Sequence, residues 1–268
     1  MRTIAHVSDL HFGREDPRVV EAVLEDLAAS RPHLVVVSGD LTQRARRREF
    51  QAARAFLDRL PSPALVVPGN HDIPLFDLAR RFFRPLERYK RFVTEDLSPL
   101  FHDEDLAVLG VNTARSNVWK NGRVSHAQIE TIRAHFAPLP QRMTKVLVTH
   151  HPFLAPPGTA GHRLVGRGLQ ALQAAEACGV DLLLAGHLHV GFTGDVRAHY
   201  LTIRRSILVA QAGTATSLRV RGEPNTYNVL TVDGPALSLA VRGWDGARFA
   251  PLSTVRYVKR DEEWVREV

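Results

Sequence analysis

Ala64-Leu65-Val66-Val67 is an apolar run stopped by Pro68-Gly69, and it delivers an amide, an imidazole and a carboxylate in succession, Asn70, His71 and Asp72. Three such groups directly past a β-branched run are too concentrated for an ordinary turn. The same plan recurs in four other places. Ile4 to Ser8 leads into Asp9 and His11, and Leu34 to Gly39 leads into Asp40. Val146 to Thr149 leads into His150 and His151, and Leu182 to Gly186 leads into His187 and His189. Oxygen from Asp9, Asp40 and Asn70, joined by nitrogen from four of the histidines, makes a donor set for a borderline divalent ion such as manganese, iron or zinc. Calcium and magnesium sites carry few imidazoles. Seven donors exceed what one ion needs once solvent takes its share, so two ions sharing one carboxylate fit the count.

For these groups to meet, the runs must be strands of an open α/β sheet, whose functional loops lie along its carboxyl edge. The intervening segments agree. Asp16-Pro17 reads as an N-cap and first helical residue, followed by Val20, Val23, Leu24 and Leu27 at helical spacing. Thr42 is expected to cap a second helix, with Phe50, Ala53, Leu57 and Leu60 inward. Short alternating units of this kind imply a parallel sheet with helices outside it. The alternation stops over 73–104, where Phe76, Phe82, Phe83, Tyr89 and Phe92 are interleaved with Arg80, Arg81, Arg84, Arg88 and Arg91. That segment reads as a helical insertion with aromatics packed down and arginines solvated, or as a cap over the site or an interface between subunits.

A strand over Leu106 to Val111 runs into Asn112 and Arg115, and Ser125 with Gln128 forms a capping box that opens a helix through Phe136. Pro152 to Gly168, which contains His162, is a long loop beside the site, and Leu169, Leu172 and Ala175 continue as a helix. From Gly194 onward the pattern becomes short runs at Ile207–Ala210, Tyr227–Val232, Leu237–Val241 and Thr254–Val258, with hairpin turns at Asp233-Gly234 and Asp245-Gly246. These strands are expected to form an antiparallel sheet packed on the first. The fold class is therefore α/β, a two-sheet β-sandwich flanked by helices, forming one domain over 1–260 with 261–268 as a loose tail.

The chain has 268 residues, enough for a full core, and its single cysteine excludes an internal disulfide framework. Cys178 lies in an alanine-rich helical run and reads as a small core residue. The first strand begins at Thr3, leaving no room for a signal peptide, and no apolar run approaches the ~18 residues of a membrane span; a cytoplasmic protein without membrane insertion is expected. The net charge of +7 allows attraction to anionic partners without choosing among nucleic acid, nucleotide and phospholipid.

Each block alone is weak, but DLH, GD, GNHD, HHP and GHLH occur in order between residues 9 and 189, each after a strand. In that order they resemble the calcineurin-like metallophosphoesterase superfamily, and the AGTATS and NTYN stretches look like strands of its bacterial class III cyclic nucleotide phosphodiesterase branch. The resemblance implies a four-layer αββα fold and a dinuclear centre of divalent or mixed-valence manganese, iron or zinc. Asp9, His11, Asp40 and His189 would hold one ion, and Asp40 would bridge to a second completed by Asn70, His150 and His187. His71 would face the substrate phosphate as the catalytic acid or charge stabiliser, with Asp72 and His151 behind the ligands. Arg44, Asn112, Arg115 and His162 are the substrate-binding candidates, although Arg44 is equally readable as part of a solvated basic helix face. Many relatives carry an acid where this chain has Gln43, which leaves Asp72 or solvent to orient His71.

The activity this implies is hydrolysis of a small phosphodiester, with a 3',5'-cyclic nucleotide first, through attack by a metal-bridging hydroxide. Glycerophosphodiesters and simple monoesters are rivals. A nuclease would draw on the positive charge, but 268 residues leave little room for a nucleic-acid-binding appendage. A non-catalytic interaction module on the same scaffold is opposed by the completeness of the ligand set. A homo-oligomer is compatible with the sequence.

Overall fold

Strands whose successive residues are all apolar must be covered on both faces, and the covering layers follow from that. The computed structural model describes residues 1–156, 164–220 and 222–267. β1 (Arg2–Val7), β2 (Leu34–Val37) and β3 (Ala64–Val66) run parallel in one sheet. α1 (Pro17–Ser30) and α2 (Arg47–Leu57) connect them and lie against the outer face. Along β2 the alternation sorts the side chains: Val35 and Val37 join the core under these helices, while Leu34 and Val36 join the core between the sheets.

The second sheet is built on β5 (Leu106–Gly110), β6 (Thr144–Val148), β7 (Leu182–Ala185) and β9 (Leu208–Gln211), all parallel, with antiparallel edges β4 (Leu100–His102) and β8 (Phe192–Asp195). α5 (His126–Phe136) and α6 (Gly168–Ala177) cover its outer face with Ile129, Ile132, Phe136, Leu172 and Ala175. The four layers are thus helix, sheet, sheet, helix. The capping box opening α5 forms as expected: Ser125 N donates to Gln128 Oε1 at 2.9 Å and Gln128 N to Ser125 Oγ at 3.1 Å.

Four expectations from sequence are corrected. First, the C-terminal strands do not make up a separate sheet. β10 (Thr226–Asp233) pairs antiparallel with β1, and β11 (Ala236–Trp244), β12 (Phe249–Arg260) and β13 (Glu263–Glu267) extend the first sheet to seven strands. The hairpin turns at 233–234 and 245–246 form as expected, with Gly234 and Gly246 at φ of 56° and 105°. Second, the described part of the expected tail, residues 261–267, is not loose: Trp264 on β13 is buried between the sheets, and Glu263 accepts from Arg197 Nη1 at 2.5 Å.

Third, Thr42 does not cap α2, which begins five residues later. Its hydroxyl and amide both donate to Asp72 Oδ1 at 2.9 Å, and a carboxylate acceptor outcompetes a helix end. Fourth, the insertion is smaller, and its expected pattern holds only in part: Tyr89 and Phe92 pack on the core and Arg84 and Arg91 are exposed. It comprises α3 (Leu78–Phe83) and α4 (Glu87–Phe92), and residues 100–102 belong to β4. Tyr89 is buried, but Phe76, Phe82 and Phe83 face outward while Arg81 is buried.

Candidate metal centre

The carboxyl ends of both sheets face the same place. β1 and β2 deliver Asp9, His11 and Asp40, the short 3-10 turn Asn70–Asp72 follows β3, and β6 and β7 deliver His150, His187 and His189. Delivery requires unusual backbone. Asp9, His11, Asp40, His187 and His189 all have φ between 51° and 76°, a left-handed region that costs a non-glycine residue of order 1–3 kcal/mol. Such strain clusters where geometry is held for function. Glycines admit the close approach: a Cβ on Gly69 would collide with Asp40 Oδ1, and one on Gly186 with Ser8 Oγ and Asp9 Oδ2.

Two groups of donors result. In the first, Asp9, His11, Asp40 and His189 bring their donor atoms within 4.8 Å of one another. Nε2 of His11 and His189 lie 3.1 Å apart, and Asp9 Oδ1 is 3.2 Å from His189 Nε2 and 3.6 Å from His11 Nε2. The His189 Nδ1–H donates to the Arg219 carbonyl at 3.0 Å, which fixes its tautomer and turns the Nε2 lone pair inward. In the second, His150 Nε2 is 3.2 Å from Asn70 Oδ1, 3.3 Å from His187 Nδ1 and 3.3 Å from Asp40 Oδ1. The His150 Nδ1–H donates to the Ser38 carbonyl at 2.8 Å. Asp40 belongs to both groups, because its Oδ2 is 3.7 Å from His11 Nε2.

His151 also lies within 4.8 Å of His150 and His187, but its ring nitrogens are taken. Nδ1 meets Thr113 Oγ1 at 2.8 Å, and Nε2 meets the Lys120 carbonyl at 3.1 Å. With no lone pair left over, His151 supports the loop around 113–120.

The electrostatics fit cations. Burial works to raise the Asp9 and Asp40 carboxyls, but the imidazoles around them, His189 foremost for Asp9 and His150 for Asp40, hold both well below the usual carboxylate range. Burial and the neighbouring His150 push His187 down to about 3, so it presents a neutral lone pair. Asp9 Oδ1 and His11 Nδ1 are buried with no hydrogen-bond partner among the described residues, and an orphaned carboxylate oxygen facing two imidazole lone pairs fits a metal ion. The residues present suit two such ions of mixed oxygen and nitrogen preference.

Asp72 does not orient His71. Its carboxylate accepts from the backbone of Leu41, Thr42 and Gly69, stitching the loop after β2 to the loop after β3. Burial, then Asp40, raises it to about 7. The His71 Nδ1–H instead donates to the backbone carbonyl of Gln43 at 2.8 Å, so the side chain at position 43 is not needed for that task. On the other side of the ring, Arg219 Nη1 lies 3.2 Å from His71 Nε2. Sequence reasoning missed Arg219, and no motif marks it.

Of the substrate-binding candidates, Arg44 lines a cavity of about 270 Å³ together with Asn70, His71, Trp119, Lys120 and Arg219. Asn112 and Arg115 do not. The Asn112 carboxamide accepts from Ala114 N, and Arg115 donates to the carbonyls of Asn112 and Ala114 and to Gln128 Oε1, so both brace the start of α5. Expecting them at the site overlooked the capping glutamine, whose Nε2 also donates to the Asn112 carbonyl. His162 lies outside the described residues.

This fold, with its two facing donor groups, defines a class of metal-binding sandwich proteins, and the sequence narrows it further. A sequence model of the calcineurin-like phosphoesterase family matches residues 2–191, and the chain belongs to that family. It is similar to a glycerophosphodiester phosphodiesterase from Enterobacter lignolyticus, 32% identical over 161 residues that cover 51% of this chain and 57% of that one. It is also similar to a 3',5'-cyclic adenosine monophosphate phosphodiesterase from Escherichia coli, 30% identical over 180 residues that cover 63% and 59% respectively. The matches thus span somewhat over half the length of these curated relatives. In fold it is similar to a dimetal phosphatase from Danio rerio, with a TM-score of 0.68 at 12% identity, covering 94% of this chain and 98% of that one. Among the described residues, no helix is long and apolar enough to cross a membrane.

Proposed function

We propose that the chain is a dinuclear metal-dependent phosphodiesterase acting on a small diester, with a 3',5'-cyclic nucleotide as the favoured substrate. The observation that carries this reading is the position of Asp40, one oxygen toward His11 and the other toward His150, which joins the two donor groups into one centre. Asp9, His11, Asp40 and His189 would hold one ion, and Asp40, Asn70, His150 and His187 the other, with manganese, iron and zinc suited to the donors. When bound, the ions would supply Lewis-acid polarisation of the phosphate and activation of the nucleophile.

The protein's own groups do the remaining work. Arg44, Lys120 and Arg219 ring the adjacent cavity with positive charge, which favours an anion there. His71 is held by the Gln43 carbonyl with its Nε2 toward that cavity. Nε2 accepts from Arg219, so it can give a proton to a leaving oxygen only after gaining one and parting from that guanidinium. The likeness to the Escherichia coli cyclic AMP enzyme supports the cyclic nucleotide, and the likeness to the Enterobacter enzyme supports a glycerophosphodiester as the second reading.

The test is a turnover panel on the manganese-loaded protein at fixed salt, comparing cyclic AMP, glycerophosphodiesters, aryl monoesters and single-stranded DNA. The highest kcat/KM is expected for cyclic AMP. Preference for glycerophosphodiesters would select the second reading, and preference for monoesters or for DNA would overturn both.

A further inference from the structure

The wall of the cavity beside His71 contains a large apolar ring that the phosphoryl chemistry does not use. Trp119 is 48% exposed, and it lines this cavity with Lys120, Arg44 and Arg219. Solvated indole on a loop loses contact energy and gains nothing unless something packs on it.

Its placement is built. Arg81 of α3 is 1% exposed, and its guanidinium carbon sits 4.2 Å from the centre of the indole. The same guanidinium donates from Nη1 to the Pro74 carbonyl and from Nη2 to the Val118 carbonyl, each at 3.1 Å, so it grips the residue next to Trp119 as well as the ring. No carboxylate pairs with Arg81 among the described residues, and its Nε is buried without a hydrogen-bond partner. A buried cation held only by carbonyls and a ring is costly, and here that cost fixes one tryptophan. On the other side of the loop, His151 holds the Lys120 carbonyl at 3.1 Å. Trp119 is therefore held from both flanks, with Arg81 against its ring and about half of the side chain exposed beside the cavity it lines.

Phosphate recognition needs only the cations already named. A flat aromatic surface lining the same 270 Å³ space is what a heterocyclic base requires, because every base has a π-face and stacking tolerates sequence. We propose that Trp119, positioned by Arg81, is the stacking platform for the base of a nucleotide substrate. It makes the site selective for base-bearing phosphodiesters over those carrying only sugar or glycerol. This rests on the phosphodiesterase reading for its kinetics but not for its binding.

Two measurements separate the two claims. In kinetics, wild-type protein and Trp119→Ala are compared on cyclic AMP and on the methyl riboside 3',5'-cyclic phosphate, the same diester without its base. The variant should raise KM for cyclic AMP on the order of ten-fold, leave the abasic substrate within two-fold, and be largely rescued by Trp119→Phe. An equal loss on both substrates, or a loss on neither, overturns the platform. In binding, cyclic AMP should quench the fluorescence of metal-free wild-type protein and not that of Trp119→Phe, and the abasic compound should quench neither. Equal quenching of the two proteins, or none in either, overturns it even if no diester is turned over.

Discussion

Arg219 and His71 approach each other across the mouth of the centre, guanidinium Nη1 to imidazole Nε2 at 3.2 Å, while the Arg219 carbonyl accepts the Nδ1 proton of His189. One residue thereby sets a candidate ligand with its backbone and meets the catalytic candidate with its side chain. The two roles can be separated by mutation, because any substitution keeps the carbonyl. Arg219→Ala should retain the metal content of the wild type and lose about ten- to hundred-fold in kcat/KM, the scale of one charge-assisted hydrogen bond from the guanidinium to a substrate phosphate in the cavity it lines. Metal analysis with steady-state kinetics checks this; loss of metal in the variant would place the side chain in support of His189 instead.

The close contacts around the carboxylates predict a different signature. Gly186→Ala forces a Cβ into Ser8 Oγ and Asp9 Oδ2, two groups that are buried and hydrogen-bonded to each other at 2.7 Å. The chelated variant should lose about 1–3 kcal/mol of stability and bind metal more weakly. Gly234→Ala is the control: φ is 56° and a Cβ there meets nothing within 4 Å. It should cost about 1–2 kcal/mol through backbone strain and leave metal affinity alone. Chemical denaturation with metal titration distinguishes them, and matched metal affinities would remove Gly186 from the account.

A pH dependence follows from His6, which is fully buried on β1 with Nε2 at 2.9 Å from Ser38 Oγ. Burial pushes its pKa down to about 3. The unfolded imidazole takes a proton near pH 6.5 and the folded one does not. Its contribution is therefore complete above about pH 6.5 and is lost as pH falls toward 3. At pH 4.5 the loss is about 2–3 kcal/mol. His6→Gln, compared with wild type in chelator across pH 4.5 to 8, should show a shallower fall in stability. Parallel curves would contradict this.

Much of the scaffold was legible because burial on both faces leaves a plain signature. Leu34-Val35-Val36-Val37 is apolar throughout since alternate residues enter different cores. The donor side chains that converge could be read because each follows such a run, and the Ser125–Gln128 box because capping is local. What escaped depends on partners distant in sequence. Nothing near Thr226 says that β10 will pair with β1, and nothing near Thr42 says that Asp72 will intercept its hydroxyl. Arg81 is buried because Pro74, Val118 and Trp119 come to meet it, an exception to the solvated arginines expected over 73–104. Arg219 sits in a stretch with no periodicity, and only the folded chain brings it to His71.

The claim on which all of this depends is that Asp40 joins two ion sites, and counting metal per chain tests it most directly. Wild-type protein stripped with chelator, reloaded with manganese and desalted should carry two ions per chain, and His187→Ala should carry one. A single ion in the wild type, or two retained in His187→Ala, would contradict a shared centre.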